Sequence, residues 1–575
     1  MKTLTIALFA FLTVFISAQS QTPQLQWVKQ IGGGSDDYAT SVTADATGNI
    51  YTVGIFNGSV DFDPGAGNFP LKSTSAYPSQ VFISKLDASG NFVWAKTIEG
   101  TGTCNVNSIT VDASGNLYMT GNFYNGTLDF NPGNPTINIT SLGFSSARMF
   151  ILKLDTEGNF KWVVSPDGYA YGNSVKTDKS GNVYITGSFQ GLIDFDPGEG
   201  IYNLVRDGNF DIFVLKLDSL GSFKWVKQFE GTFSSSSSNS TNTGTSISVD
   251  LLGNVYTTGG FYSTVDFDPG SAKFNLTAPP YGAAMFISKL DSSGNFVWAE
   301  CFGNLSAYGS NFMTTDLSGN IYIVGSFGGS FDFDPGPDSS ILNSNGDKNA
   351  FILKFNSSGT LLWAKRMGGG ETTAGSGIAI DGLGNVYITG MFTGTADFDP
   401  GSKIYPLKSS RTNQYDQFFA KLDIDGNFVW ASQFTTIGNI DIVVDMSDGI
   451  YIVGGIYGVG DYDPSEGTHY LSSDGKSDIF IEKLQQVPLG MNELKENASV
   501  FVFPIPSSNS ITLNFGKQLT NGRIKLINLL GQTMLEQSDV NSTSLSIDIS
   551  NQPKGMYFVE VSNTTNTERV KVLKE

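Results

Sequence analysis

Paired carboxylates two residues apart are the most chemically suggestive feature of this 575-residue chain. The phrase Asp61-Phe62-Asp63-Pro64-Gly65 returns with its first residue at Asp129, Asp194, Asp266, Asp332, Asp397 and Asp461, with Asn131 and Ser465 as departures. In an extended segment residues two apart project to one side. Asp61 with Asp63, Asp194 with Asp196, Asp266 with Asp268, Asp332 with Asp334, Asp397 with Asp399 and Asp461 with Asp463 are therefore candidate oxygen pairs for calcium. Calcium takes about six to eight oxygens, and two carboxylates beside a Pro-Gly turn fall short of that. The favoured reading is structural: Phe packs inward, Asp caps turn amides and Pro-Gly reverses the chain. No other cofactor is expected.

Other catalytic chemistry is sparse. The single histidine, His469, stands where other repeats carry Phe69, Tyr202, Phe274 or Tyr405. It reads as a strand substitution, which removes a His-rich metal centre and disfavours a Ser-His-Asp triad. Abundant Asp leaves a glycoside hydrolase or lyase open as the competing function, although the same pair in every repeat is the wrong pattern for one active site. The formal net charge of -20, with no Lys/Arg cluster, argues against nucleic acid as a partner.

The elements that must position these residues follow from a second repeat. Seven tryptophans, Trp27, Trp94, Trp162, Trp225, Trp298, Trp363 and Trp430, recur every 63 to 73 residues, each in a similar phrase such as Asn91-Phe92-Val93-Trp94-Ala95-Lys96. Two unrelated phrases with one count define a repeat of about 66 residues. Within the first copy, runs at 40–44, 50–56, 81–86 and 92–98 are rich in β-branched and aromatic residues, and Asp-x-x-Gly-Asn turns join the first to the second and the third to the fourth. Each copy is thus a four-stranded antiparallel meander. The last copy lacks a Trp-bearing fourth strand, while Gln26-Trp27-Val28-Lys29-Gln30 has that pattern and no repeat of its own. The N-terminal strand is expected to complete the last meander and close a ring, which removes exposed strand edges.

The phrases Asp-x-x-Gly-Asn-x-Tyr-x-x-Gly, as at 178–187 and 316–325, followed by Phe-Ile-x-Lys-Leu-Asp, resemble the bacterial seven-bladed β-propeller repeat family over about residues 24–487. After a linker at 488–497, a β-rich module spans 498–575, with runs at 499–503, 510–515, 523–529, 544–549, 556–562 and 569–573, enough for a small sandwich. Its phrases Val502-Phe503-Pro504-Ile505-Pro506, 524–532 and 555–561, ending in Val570-Lys571-Val572-Leu573, resemble the type A C-terminal sorting domain of Bacteroidota. The family's Asn between the two prolines is Ile505 here. The resemblance implies export by the type IX secretion machinery, removal of the domain, and release or surface attachment.

The expected fold is all-β: a seven-bladed propeller over 21–487 closed by its N-terminal strand, followed by a small β-sandwich. Residues 1–20, a lysine before a short apolar run and then small residues, read as a signal peptide, and no later stretch is apolar and long enough to span a bilayer. Cys104 and Cys301 fall in repeats three apart and are expected as free thiols. A meander puts the second-to-third connections and inter-blade links on one face, so the Asp-Phe-Asp-Pro-Gly segments share it with the variable loops at 32–38, 233–243 and 368–374. Recognition usually resides in such loops. The sequence therefore reads as a non-enzymatic module that binds an extracellular glycan or protein there.

Overall fold

The computed structural model describes residues 22–574 apart from 74–79, 142–146, 233–240, 281, 306–311, 411–414, 435–439, 446, 466, 487–500, 504–508, 529–531 and 564–566. The expected signal peptide at 1–20, the low-complexity serine tract within 233–243 and the linker at 488–497 lie outside the described residues. The chain forms two compact units, Met1–Val487 and Pro488–Glu575. Every described regular element longer than a single turn is a strand. Among the described residues no helix is long and apolar enough to cross a membrane.

Hydrogen bonding sorts the strands of the first unit into seven four-stranded antiparallel meanders among the described residues. The first comprises Tyr38–Ala44, Ile50–Phe56, Gln80–Leu86 and Phe92–Gly100. Its turns explain its register. Asp45 Oδ1 accepts hydrogen bonds from the amides of Thr47 and Asn49 at 2.9 and 3.0 Å, and Gly48 takes a φ of 79°. A side chain that satisfies two turn amides while Gly supplies the left-handed residue makes this reversal cheap. The innermost strands contact one another in cyclic order, with Asp441–Val444 returning to Tyr38–Ala44.

The closing blade is built from both ends of the unit. Gln24–Ile31 pairs antiparallel with Tyr470–Gln485, placing Trp27 opposite Lys483, the register in which Trp94 faces Lys85 inside the first blade. Apolar cores lie between blades. Phe82 and Leu86 of the first blade pack with Tyr451, Val453, Ile479 and Ile481 of the closing blade. The opposite face, with Val81 and Ile83, packs on the second blade.

One junction pattern recurs. The second-strand tyrosine donates its hydroxyl to the first turn's aspartate, as Tyr118 does to Asp112 at 2.9 Å. In all seven blades a third-strand lysine sits 4.7–5.1 Å from that tyrosine ring's centroid, a cation–π contact. Trp27 lies against Gly90 of the next blade, where a Cβ would come within 2.8 Å of the indole. The repeated tryptophans are packing anchors between blades.

The C-terminal unit differs in detail from six separate runs. Residues 510–515 and 523–529 fall largely in one long strand, Ser510–Asn528, whose partner Thr533–Asp548 follows it through several register shifts. Phe501–Phe503, Gly555–Ser562 and Thr567–Lys574 complete a five-stranded sheet. The intervening 516–522 stretch continues the ladder irregularly instead of breaking it, and Leu513, Ile524, Leu526, Ile547, Val559 and Val572 share one core.

Candidate functional site

The Asp-Phe-Asp-Pro-Gly segments are short hairpins whose carboxylates bond to their own backbone. Asp61 Oδ1 accepts from the amides of Asp63 and Phe69 at 3.1 and 2.7 Å, and Asp63 Oδ1 accepts from Gly65 at 2.8 Å. Asp194 and Asp196 repeat this pattern, as do Asp266 and Asp268. So do Asp332 with Asp334 and Asp397 with Asp399. In the closing blade Asp461 bonds Asp463 and His469, and Asp463 bonds Ser465. At the second blade Asn131 Oδ1 accepts from Gly133 at 3.0 Å, so a neutral amide serves where the other blades have the second Asp. The buried Phe62 meets Phe56 and Phe82 at 5.5 and 5.1 Å.

These hairpins also join blades, which the sequence pattern does not reveal. Asp129 pairs with Glu99, Asp266 with Glu230 and Asp397 with Gly368, each at the end of the preceding blade's fourth strand, and Gly32 bridges to Asp61. The two carboxylates of each motif are drawn to different amides of one turn. Among the described residues no three His, Cys, Asp or Glu side chains are grouped to hold a metal ion.

Where the fourth blade's hairpin meets the third blade, a groove of about 270 Å³ opens, lined by Tyr202, Lys227, Gln228, Glu230, Asp268 and Lys273 among others. Tyr202 packs against Phe223, ring centroids 5.1 Å apart and planes tilted by 38°, and is 43 % exposed. Gln228 is anchored by bonds to Val205 O and Asp211 Oδ2, and the buried Asp211 is paired with Arg206 at 3.2 Å. Asp266 and Asp268 are thus brought together with an aromatic face and side chains of both charges. The other ten candidate aspartates lie on their own blades' hairpins.

The innermost strands carry mainly hydroxyls and apolar groups. Ser41, Ser108, Ser174 and Ser246 each accept the backbone amide of the next blade. Asp441 occupies the equivalent place in the closing blade, accepting from Val42 N at 3.0 Å and Ser41 Oγ at 2.9 Å. Burial raises the Asp441 pKa and lowers that of Lys176, each partly countered by the other's charge.

His469 donates its backbone amide to Asp461 as Phe69, Tyr202, Phe274 and Tyr405 do to their own aspartates, so it fills the position those aromatics occupy, in the hairpin just before the strand rather than within it. Cys104 is buried and Cys301 half-buried, and both are free. Burial pushes both thiols up. Among the buried carboxyls that sequence reasoning missed are Asp37, Asp478 and Glu482, whose surroundings are set by distant strands. A weak signal existed for Glu482: the same strand position holds Ser84, Leu152, Leu215, Ser288, Leu353 and Ala420 in the other blades.

Comparison with known proteins bears on the repeats and the C-terminal unit. Residues 26–54, 224–268 and 362–397 match the β-propeller repeat family, and 501–575 match the secretion system C-terminal sorting domain. The chain thus carries β-propeller repeats and a C-terminal sorting domain of the type IX secretion system. That domain places it outside the cell, secreted or attached to the surface, and implies engagement of the type IX secretion system. An uncharacterized WD repeat-containing protein, L264, of Acanthamoeba polyphaga mimivirus is 24% identical over 498 residues, which is 74% of this chain. The match spans only 36% of that relative's length. Among solved structures, PorZ, described as an essential surface component of the type IX secretion system of Porphyromonas gingivalis, is 11% identical over 95% of this chain and 100% of its own, with a TM-score of 0.15. A Bacteroides thetaiotaomicron protein of unknown function is 11% identical over 80% of this chain and 98% of its own, with a TM-score of 0.25. Overlaps this small carry no argument about this protein's activity.

Proposed function

We propose that the propeller is a non-enzymatic binding module that recognises an extracellular glycan or protein through the face bearing the Asp-Phe-Asp-Pro-Gly hairpins. The observation that carries this reading is the groove between the third and fourth blades. There a partly exposed tyrosine, two lysines and three acidic side chains converge on one concave surface. Binding sites commonly combine an aromatic face with a few convergent polar groups on a rigid scaffold. The innermost strands support a non-catalytic role, because their serines are hydrogen-bonded to neighbouring backbone amides.

The test is an array of glycans and matrix proteins probed with the exported protein and with a Tyr202→Ala/Lys273→Ala variant. Binding that weakens at least tenfold in the variant supports the groove. Equal binding by both proteins removes the groove from the reading. Cleavage of a polysaccharide, lost on Glu230→Gln, would replace it with the carbohydrate-active hydrolase or lyase reading.

A further inference from the structure

Six inter-blade junctions share one hydrogen-bonding device. In each, the fourth-strand tryptophan and third-strand lysine of one blade donate to the same backbone carbonyl, in the turn joining the third and fourth strands of the next. Trp94 Nε1 and Lys85 Nζ reach Thr156 O at 3.1 and 3.2 Å. Trp162 and Lys153 meet on Ser219 O at 3.2 and 2.8 Å. Trp225 and Lys216 share Ser292 O, Trp298 and Lys289 share Ser357 O, and Trp363 and Lys354 share Ile424 O. Trp27 and Lys483, on different ends of the chain, share Ala88 O.

The seventh junction lacks that acceptor. Its receiving blade is the closing one, whose third and fourth strands are the separate segments Tyr470–Gln485 and Gln24–Ile31. No turn joins them, so no turn carbonyl exists. Trp430 Nε1 instead donates to Oε1 of Gln486 at 3.0 Å, and Lys421 Nζ reaches the same atom at 3.4 Å while bonding Tyr387 Oη at 2.7 Å. Trp430 is also the most buried of the seven tryptophans, 1 % exposed.

We propose that Gln486 latches the sixth blade to the closing blade, its side-chain carbonyl standing in for the turn carbonyl that the ring's non-covalent closure leaves missing. An amide oxygen has the geometry and acceptor strength of a backbone carbonyl. A buried indole N–H left without a partner is costly. Both closing strands are the terminal strands of this unit, where local opening begins. The latch therefore fixes the third strand of the closing blade, the strand on which the N-terminal strand pairs, against the sixth blade. It lies one residue before the end of the first compact unit, so a proteolytic cut that releases the sorting domain preserves it only if made after Gln486.

The test is hydrogen exchange on the full chain, comparing peptides from 24–31 and 470–485 with peptides from the third blade. In Gln486→Ala the closing-blade amides exchange about tenfold faster while the third blade is unchanged. Gln486→Glu, which keeps an acceptor for both donors, retains protection close to that of the parent. Trp430→Phe loosens the same strands, and adding Gln486→Ala to it brings little further change. Unchanged exchange in Gln486→Ala, uniform loosening of all blades, or a Gln486→Glu variant as loose as Gln486→Ala would each overturn the proposal.

Discussion

Replacing Glu482 with leucine should stabilise the propeller, and increasingly so as pH rises. Glu482 is fully buried, with neither carboxyl oxygen hydrogen-bonded. It lies on the third strand of the closing blade between Phe480 and Leu484, which pack with Tyr387, Phe419 and Trp430 of the sixth blade. Burial, reinforced by the negative charges of Asp461 and Asp463, raises its pKa well above the ordinary glutamate value. A buried polar group without a partner costs about 1–3 kcal/mol even when neutral. Leucine has similar volume and occupies this strand position at Leu152, Leu215 and Leu353, where it is fully buried. The ionisation part has a definite sign. The folded state holds the proton more tightly than the unfolded state, so stability is fully present below the unfolded pKa of about 4.3 and is lost as pH rises through the folded pKa. The loss approaches about 1.4 kcal/mol per pH unit within that window. Thermal and denaturant melts at pH 4, 5.5 and 7 measure both parts. Glu482→Leu should exceed the parent by about 1–3 kcal/mol at pH 4, with a gap that widens towards pH 7. Glu482→Gln, which removes only the ionisation, should match the parent at pH 4 and surpass it at pH 7. A leucine variant no more stable than the parent, or a gap independent of pH, would refute the reasoning.

Asp37 provides a second pH-dependent group, where the first blade meets the closing blade and its amide donates to Ser477 O: burial pushes its pKa up to about 7 although Gly33 and Asn57 donate backbone amides to it. Its contribution to stability is lost between about pH 4 and 7, and Asp37→Asn should flatten that part of the stability profile measured by melting. For the hairpin aspartates, Asp63→Asn should shift stability by less than about 0.5 kcal/mol, because Asn131 makes the equivalent bond. Asp61→Ala removes the acceptor of two amides and should cost about 1–2 kcal/mol. If calcium were held there, chelation would lower the melting temperature and Asp63→Asn would be as damaging as Asp61→Ala. A thiol reagent under native conditions should modify Cys301 before Cys104, which is 2 % exposed; mass spectrometry of the labelled peptides gives the order.

The meander, its turns and its closing strand were legible in the sequence because their causes are local. Asp45 caps amides two and four residues away, and alternating apolar positions assign each strand its two faces. The N-terminal strand could be assigned to the last blade because Trp27 carries a fourth-strand phrase and that blade lacks one. The sorting domain was readable from its phrases, although its strand count was not, since pairing through 516–522 depends on the partner strand. The candidate aspartates were found by repetition, and repetition is what makes them parts of a turn.

The sequence by itself determined the blade: which residues extend, which turn, and how often the unit returns. Tertiary structure decided everything that happens between blades. Acceptor and donor there are about sixty residues apart, as with Trp94 and Thr156, or separated by nearly the whole unit, as with Lys483 and Ala88. The Asp-Phe-Asp-Pro-Gly hairpins could not be seen to reach the preceding blade, nor Glu482 to lose its solvent, nor Gln486 to replace a carbonyl. Each outcome depends on the angle at which one twisted sheet meets the next, a relation that no local run of residues encodes.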